Sequence, residues 1–164
     1  MVIDLTELII NNIDVLNVNV SVVYSEEQLK NVNIKKLRDT FFNGKIRKLY
    51  DGEYEIDGVL SGVMVLADDI TLEDVDYEFN VSILDNFGDE LNDKSDNNLI
   101  IINNNLDISE FLWQNIVLEI PSKIVSEKNR NINLKGNGWR FVTEEELEHE
   151  KNNESPFDEL DNKF

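Results

Sequence analysis

The sequence predicts one α+β domain: an antiparallel β-sheet or partly closed barrel of hairpins, with a few helices and an acidic C-terminal tail. From about Val15 to Phe87, apolar and polar residues alternate with period two, which is typical of strands exposed to water on one face. Asp107–Glu119 has the apolar spacing of a helix, with Leu112 and Leu118 on its predicted apolar face, and Pro121 ends it. We expect residues 1–142 to form this domain and residues 143–164 to form an acidic helical extension.

The N-terminal part of the chain contains three local signals. Ile3–Ile10 is predicted to be a short helix, with Asp4 placed to cap it. Val15–Tyr24 alternates apolar residues with asparagine and serine, which predicts a half-buried strand. Ser25 and Gln28 have the spacing of a capping box, which predicts a single helical turn.

Turn dipeptides divide the following strands. Asn43-Gly44 lies between two β-type segments and is the strongest short signal for a hairpin, and Asp51-Gly52 marks the next turn. Gly58 and Gly62 indicate bulges or close backbone approach. The predicted strands are Ile34–Phe42, Lys45–Tyr50, Glu53–Leu66 and Asp76–Phe87, and Asp85–Asn98 is predicted to be an acidic loop.

Residue composition removes several classes of chemistry. The chain has no cysteine, which excludes a thiolate nucleophile and a zinc site with cysteine ligands. Its one histidine, His149, lies in an acidic run typical of a solvated helix face. Asp68-Asp69 with Glu73-Asp74 is better explained as a turn of exposed acids than as a paired-carboxylate site. We therefore expect no enzyme activity, cofactor, metal or small-molecule substrate, and, without an export signal or membrane span, a cytoplasmic protein.

Charge is strongly segregated along the chain. The net charge is −19, but residues 30–48 carry +6 and residues 123–140 carry +4. In one interpretation these two basic segments converge and contact RNA phosphates. In the other, each neutralises the acidic strands beside it, and the charge pattern alone favours this second interpretation. A chain this acidic also attracts basic partners, among which ribosomal proteins are prominent.

The candidate binding residues come from the two basic segments. Lys36 and Arg38 alternate to one strand face, as do Lys45 and Arg47, so a hairpin at Asn43-Gly44 would gather them into one patch. Trp139 follows a glycine turn and lies outside any apolar period. The full set is Lys35, Lys36, Arg38, Lys45, Arg47, Lys48, Lys128, Arg130, Lys135, Trp139 and Arg140.

The C-terminal segment carries three apolar anchors. Phe157, Leu160 and Phe164 share one face at helical spacing, whereas Thr143–Lys151 is predicted to be an acidic helix with a single leucine. An isolated segment as short as 155–164 is marginal as a helix, so its anchors must dock either on the protein's own sheet or in the groove of a partner. Of these two, we expect the partner.

Five segments follow one another in a recognisable order. They are IDGVLSGVMVL with ADDITLEDVDYEFNVSI, an acidic loop, NNLDISEFLWQNIVLEIPSK, GNGWRFVTEEE and SPFDELDNKF. In this order they resemble the central strands, the acidic loop, the helix, the "GxxW" stretch of Gram-positive members and the tail of the bacterial YceD family, also called DUF177. The resemblance implies a cytosolic factor for accumulation and processing of the 23S rRNA and for large-subunit assembly, with no catalytic residues.

The chain departs from the family at the cysteines that many members carry. Asp68, Thr71 and Ser126 stand in their places, so any zinc role of those relatives does not transfer to this chain. Three functions follow as hypotheses. The leading one is a non-enzymatic ribosome-biogenesis factor; the second is an acidic module that sequesters a basic ribosomal protein without touching RNA. The third, weaker, is a metal-dependent nuclease that uses the acidic loops. Direct RNA contact, the assembly stage and the oligomeric state are left open.

Overall fold

The computed structural model describes residues 1–11, 13–50, 52–89 and 99–126, and the backbone of residues 135–136 and 139–140. Contacts divide the chain into two compact units, Met1–Ile124 and Val125–Phe164. In chain order the first unit contains β1 (Val2–Asp4), α1 (Thr6–Ile9), β2 (Val15–Ser21), α2 (Glu26–Asn31), β3 (Lys36–Lys48), β4 (Glu53–Ala67), β5 (Asp74–Asp89), β6 (Ile100–Ile102), β7 (Asn105–Asp107) and α3 (Ser109–Leu118). The second contains β8 (Lys135–Gly136) and β9 (Trp139–Arg140).

Seven strands form one sheet in the order β1-β7-β6-β5-β4-β3-β2. The sheet is barrel-like and nearly closed, which confirms the predicted architecture in outline. It is mixed, however, because β6 runs parallel to β5, with Gly88 opposite Ile100. The prediction of a purely antiparallel sheet is therefore wrong. Side chains cannot signal this, because the direction of pairing depends on how the chain returns to the sheet.

The core fills the inner face of this sheet. Even-numbered residues of β4, such as Ile56, Leu60 and Met64, are fully buried, and Phe79 and Ile83 continue the layer on β5. Helices α1 and α3 add apolar side chains to the same cluster. The alternation that predicted the strands therefore marks the buried face of the sheet.

Two predicted helix signals are confirmed. The Gln28 N–H donates to Ser25 Oγ at 3.3 Å, and the Ser25 N–H donates to Gln28 Oε1 at 3.2 Å, which completes the capping box of α2. Helix α3 lies within the predicted Asp107–Glu119. Leu118, which the sequence placed on its apolar face, is 81% exposed. It follows Leu112 by six residues, which is about 240° around a helix of 100° per residue.

The N-terminal prediction is only partly right. Val2–Asp4 forms a strand that pairs with β7, and the helix is limited to Thr6–Ile9. The pairing partner lies about a hundred residues away in sequence, so local spacing cannot reveal it. Asp4 still acts at the helix start, because its Oδ1 accepts the Thr6 N–H at 2.8 Å.

A hairpin at Asn103-Asn104 was missed by the sequence prediction. Ile102 pairs with Asn105, and the two intervening asparagines have φ values of 50° and 61°. Tight two-residue turns of the I′ type need positive φ at both positions, and asparagine tolerates it better than most residues. The asparagine run, which composition alone leaves without a role, therefore forms this turn.

Several predictions fall on residues that the structure does not describe. These are the acidic helix 143–151, the tail 152–164 with its anchors Phe157, Leu160 and Phe164, and residues 90–98 of the predicted acidic loop. The first five residues of that loop, Asp85–Asp89, belong to β5, so the prediction is wrong for them. Among the described residues, no helix is long and apolar enough to cross a membrane.

Candidate partner-binding surface

The predicted hairpin at Asn43-Gly44 is wrong, because these residues lie in the middle of β3. Asn43 pairs with Asn19 of β2 on one side and with Val59 of β4 on the other. Gly44 lies opposite Gly58, where an added Cβ would come 2.9 Å from the Gly58 Cα and 2.8 Å from the ring of Phe42. The glycine therefore permits close strand approach beneath an aromatic ring instead of a turn. Asp51 of the second predicted turn lies outside the described residues. Its neighbour Gly52 has a φ of 75°, and the Tyr50 carbonyl accepts the Glu53 N–H at 3.0 Å, as a turn here requires.

A bulge places four cations of β3, Lys36, Arg38, Lys45 and Arg47, on one outer face. Lys36 and Arg38 lie opposite Val65 and Val63, whereas Lys45 lies opposite Asp57, and all three partners are odd-numbered residues of a regular strand. Lys36 and Arg38 have even numbers and Lys45 has an odd one, so they can share a face only if β3 contains one extra residue between them. The register does shift between Arg38 and Phe41. Asp39 has a φ of 46° within this shift. The predicted same-face pairs are thus combined by a bulge and not by a hairpin.

Most of the candidate cations on or next to β3 are paired with carboxylates of β4 and β5. Lys45 Nζ lies 3.3 Å from Asp57 Oδ2. Arg47 donates from Nε to Glu55 Oε1 at 2.8 Å, and its Nη2 lies 3.3 Å from Asp57 Oδ2. The other ion pairs are Lys35 with Asp74 and Arg38 with Asp76.

The ion pairs agree with the second interpretation of this basic segment, and RNA contact by these residues stays a prediction. Two of the six candidate cations, Lys36 and Lys48, have no ion pair among the residues that the structure describes. The remaining four are neutralised by β4 and β5, as the charge pattern favoured. The Nε of Arg38 is buried and has no acceptor in the described part of the chain.

The second basic segment is only partly described. Lys128 and Arg130 lie outside the described residues. Lys135 pairs with Arg140, and Gly136 with Trp139, in a two-stranded antiparallel ladder whose side chains are not described. The register leaves residues 137 and 138 between the strands, and these also lie outside the description. Convergence of the two basic segments stays a prediction.

The acidic turn after β4 is a structural element. Asp68 is fully buried, which corrects its prediction as an exposed acid. Its Oδ1 accepts the Ile70 and Thr71 N–H groups at 2.8 and 3.0 Å. Asp69 binds the segment after α3, since its N–H donates to the Ile124 carbonyl at 2.8 Å and its Oδ2 accepts the Ile124 N–H at 2.7 Å. Within residues 1–126, as far as they are described, no three histidine, aspartate or glutamate side chains group as metal ligands would.

The start of α3 carries a second hydrogen-bonded cluster that the sequence did not single out. Asp107 Oδ1 accepts the Ser109 N–H at 2.9 Å, the Ser109 Oγ–H at 2.6 Å and the Met1 ammonium at 3.0 Å. These bonds, led by those of Ser109, lower the pKa of Asp107 to about 2. The Tyr24 hydroxyl donates to the Ser109 carbonyl at 2.7 Å, and burial raises its pKa.

The aromatic residues of the strands divide between core and surface. Phe42 and Tyr54 are buried, as alternation predicted for core residues, and Tyr54 stacks on Phe87 with ring centroids 5.6 Å apart. Phe41 is 41% exposed on the outer face and Tyr50 is 80% exposed at the turn after β3. Of Phe41, Phe42, Tyr50 and Tyr54, only Phe41 and Tyr50 are therefore accessible to a partner.

Comparison with known proteins identifies the family. A family model described as "Large ribosomal RNA subunit accumulation protein YceD" matches residues 56–162, which is nearly two thirds of the chain. No significant match was found among curated proteins. No solved structure matches significantly either. The match begins inside β4, so β2 and the candidate cations from Lys35 to Lys48 precede the matched residues. By this match, which covers more than half of its length, the chain belongs to the YceD family.

Proposed function

We propose that this protein is a non-enzymatic, cytoplasmic factor that supports accumulation and processing of 23S rRNA during assembly of the large ribosomal subunit. Membership of a family described by large ribosomal RNA accumulation carries this proposal. The proposed partners are the rRNA precursor, a basic ribosomal protein, or both. The proposed division into a domain of residues 1–142 and an extension of residues 143–164 places the partner-binding surface in the first part.

The second candidate function, an acidic module that binds a basic ribosomal protein without RNA, is favoured by the ion pairs. Four cations next to or on β3 already contact carboxylates. Binding RNA there would require breaking those contacts and bringing phosphates close to the carboxylates. A cationic protein segment faces no such cost, because the exposed acids of the chain attract it.

Retention of RNA by the purified protein at several salt concentrations tests whether the rRNA precursor is a direct partner. Each phosphate neutralised in single-stranded RNA contributes about −0.7 to the slope of log K against log salt. If only Lys36 and Lys48 bind phosphates on the first unit, that unit contributes a slope of about −1.4, whereas all six cations would contribute about −4. Changing Lys36 and Lys48 to glutamine should remove this contribution.

Affinity purification of large-subunit precursors from growing cells, with and without ribonuclease, separates the two candidates. Association that survives ribonuclease and retains one basic protein supports the acidic module. Association that is lost with the RNA supports direct rRNA contact. Absence of large-subunit components in both samples would contradict the proposed function.

A further inference from the structure

Within the described residues, the outer edge of β2 is a row of unpaired backbone hydrogen-bonding groups. The Val22 N–H donates to the Thr40 carbonyl at 2.9 Å, and the Lys48 N–H donates to the Asp14 carbonyl at 3.1 Å. The backbone N–H and C=O groups of the even-numbered residues of β2 therefore point towards β3. The odd-numbered residues therefore direct their N–H and C=O groups away from the sheet; they are Val15, Asn17, Asn19 and Ser21. Within the described residues, β3 is the only strand that pairs with β2.

This edge lacks the features that normally prevent pairing with another chain. Val15–Tyr24 contains no charged residue and no proline, and β2 pairs with β3 without a register shift over seven residues. Edge strands are usually kept short, charged, bulged or covered. The opposite edge of the same sheet follows that rule, because β1 has only three residues. The edge of β2 is thus a template for an added strand.

The charge around the edge indicates the chemistry of the added strand. Residues 1–29 contain five carboxylates and neither lysine nor arginine. Glu7 and Asp14 before the strand and Glu27 after it are exposed. On the adjacent strand, Arg47 and Lys45 lie opposite Val15 and Asn17, but both are already paired with carboxylates of β4. The exposed carboxylates attract a cationic segment, and RNA phosphates do not match a row of alternating N–H and C=O groups. A second copy of this chain would bring another net charge of −19 to the edge.

We infer that the open edge of β2 binds an extended, lysine- and arginine-rich segment of a partner protein as an added β-strand. Main-chain hydrogen bonds from Val15, Asn17, Asn19 and Ser21 provide the affinity, and the exposed acids around the edge select the basic sequence. This inference rests on the proposed function for its biological partner, a basic ribosomal protein. It concerns a strand that lies outside the region matched by the family.

The test uses the full chain and a synthetic peptide of about ten residues in which lysine alternates with valine, a length that suits one strand. Binding is measured by fluorescence anisotropy, and amide hydrogen exchange is followed by NMR. The peptide should slow exchange at Val15, Asn17, Asn19 and Ser21. Asn19→Pro removes an outward N–H without touching the ladder to β3, and should weaken binding about tenfold. The matched control Asn19→Thr keeps the N–H and should bind like the unmodified protein.

A charge series keeps the test valid if the proline variant fails to fold. Asn19→Lys should weaken peptide binding and Asn19→Asp should strengthen it, each at least about twofold, because the side chain lies beside the added strand. Equal affinities across this series, or no exchange protection at the four amides, would overturn the inference. Protection by a short RNA in place of the peptide would also overturn it. The inference would also be overturned if sedimentation showed that the unmodified protein is a dimer and that the Asn19 variants are monomers.

Failure of this inference is distinguishable from failure of the proposed function. If Asn19→Pro folds and still purifies with large-subunit precursors and their basic proteins as the unmodified chain does, the edge is not the binding site and the proposed function stands. If the unmodified chain brings down no such precursors but binds the peptide through β2, the edge site stands and the proposed function is wrong.

Discussion

Gly44 and Gly58 face each other on β3 and β4, and the ring of Phe42 occupies the space that a Cβ at either position would need. An added Cβ at Gly58 would lie 2.6 Å from the Asn43 carbonyl oxygen and 2.7 Å from the Gly44 Cα. Both neighbours are backbone atoms in the middle of the sheet, so they cannot move aside without breaking strand pairing. The close approach of these strands therefore depends on the absence of side chains at both positions.

Gly58→Ala should lower the free energy of unfolding by about 1–3 kcal/mol, because the methyl group overpacks the strand contact. Urea denaturation followed by tryptophan fluorescence measures this change. Val59→Ala is the matched control, since Val59 is on the outer face of the same strand and 38% exposed. It should cost about 0.5 kcal/mol or little more. Equal losses in the two variants would contradict the role of the glycine pair.

Asp68→Ala should destabilise the first unit by about 1–3 kcal/mol, because the Ile70 and Thr71 N–H groups lose their buried acceptor. The exposed neighbour Glu73 is the control. Glu73→Gln keeps the backbone carbonyl that accepts the Asp68 N–H and should change stability by less than about 0.5 kcal/mol. Thermal unfolding that is unchanged by Asp68→Ala would show that this turn does not need the carboxylate.

Asp107 should make stability depend on pH in acid. Its pKa is lowered from 3.8 to about 2 in the folded protein, mainly by the bonds from Ser109. A lowered pKa means that the stabilisation is complete above the unfolded value and is lost as the pH falls from about 4 towards 2. Asp107→Asn should flatten the curve of unfolding free energy against pH in this window. Identical curves for the Asp107 variant and the unmodified protein would refute the assignment.

Arg47→Glu should destabilise the protein by about 1 kcal/mol, because it places a third carboxylate beside Glu55 and Asp57. Lys48→Glu is the matched control, since Lys48 has no ion pair among the described residues. It should have a smaller effect. Raising the salt concentration should reduce the difference between the variants, because these side chains are partly exposed. If the two substitutions cost the same at low salt, the pairing of Arg47 contributes nothing measurable.

Deleting residues 152–164 should leave the melting temperature nearly unchanged and reduce association with assembly particles. The reason is the apolar spacing of Phe157, Leu160 and Phe164, which we expect to bind a partner. Differential scanning calorimetry and co-purification measure the two effects separately. A variant with serine at these three positions is the control for chain length. A large fall in melting temperature would show that the anchors complete the core of the protein itself.

Local sequence patterns determined the elements whose signals depend on near neighbours. The capping box of Ser25 and Gln28 formed as predicted. On β4 the alternation of Tyr54 and Ile56 selects the buried face correctly, whereas Val59, the next apolar residue of the predicted alternation, lies on the outer face. Helix α3 follows from its own apolar spacing and Pro121. These features could be read from the chain because each depends on residues within a few positions, where backbone propensity and side-chain period act together.

Only the tertiary structure decided what the same signals mean across strands. Asn43-Gly44 has the sequence of a tight turn, but Gly58 and the ring of Phe42 make it a point of close strand approach. The bulge at Asp39 brings Lys36, Arg38, Lys45 and Arg47 onto one face. Arg38 pairs there with Asp76 of β5, two strands away in the sheet. Pairing of strands distant in sequence sets these contacts, and no periodicity along the chain encodes which carboxylate a cation will meet or which strand edge stays open.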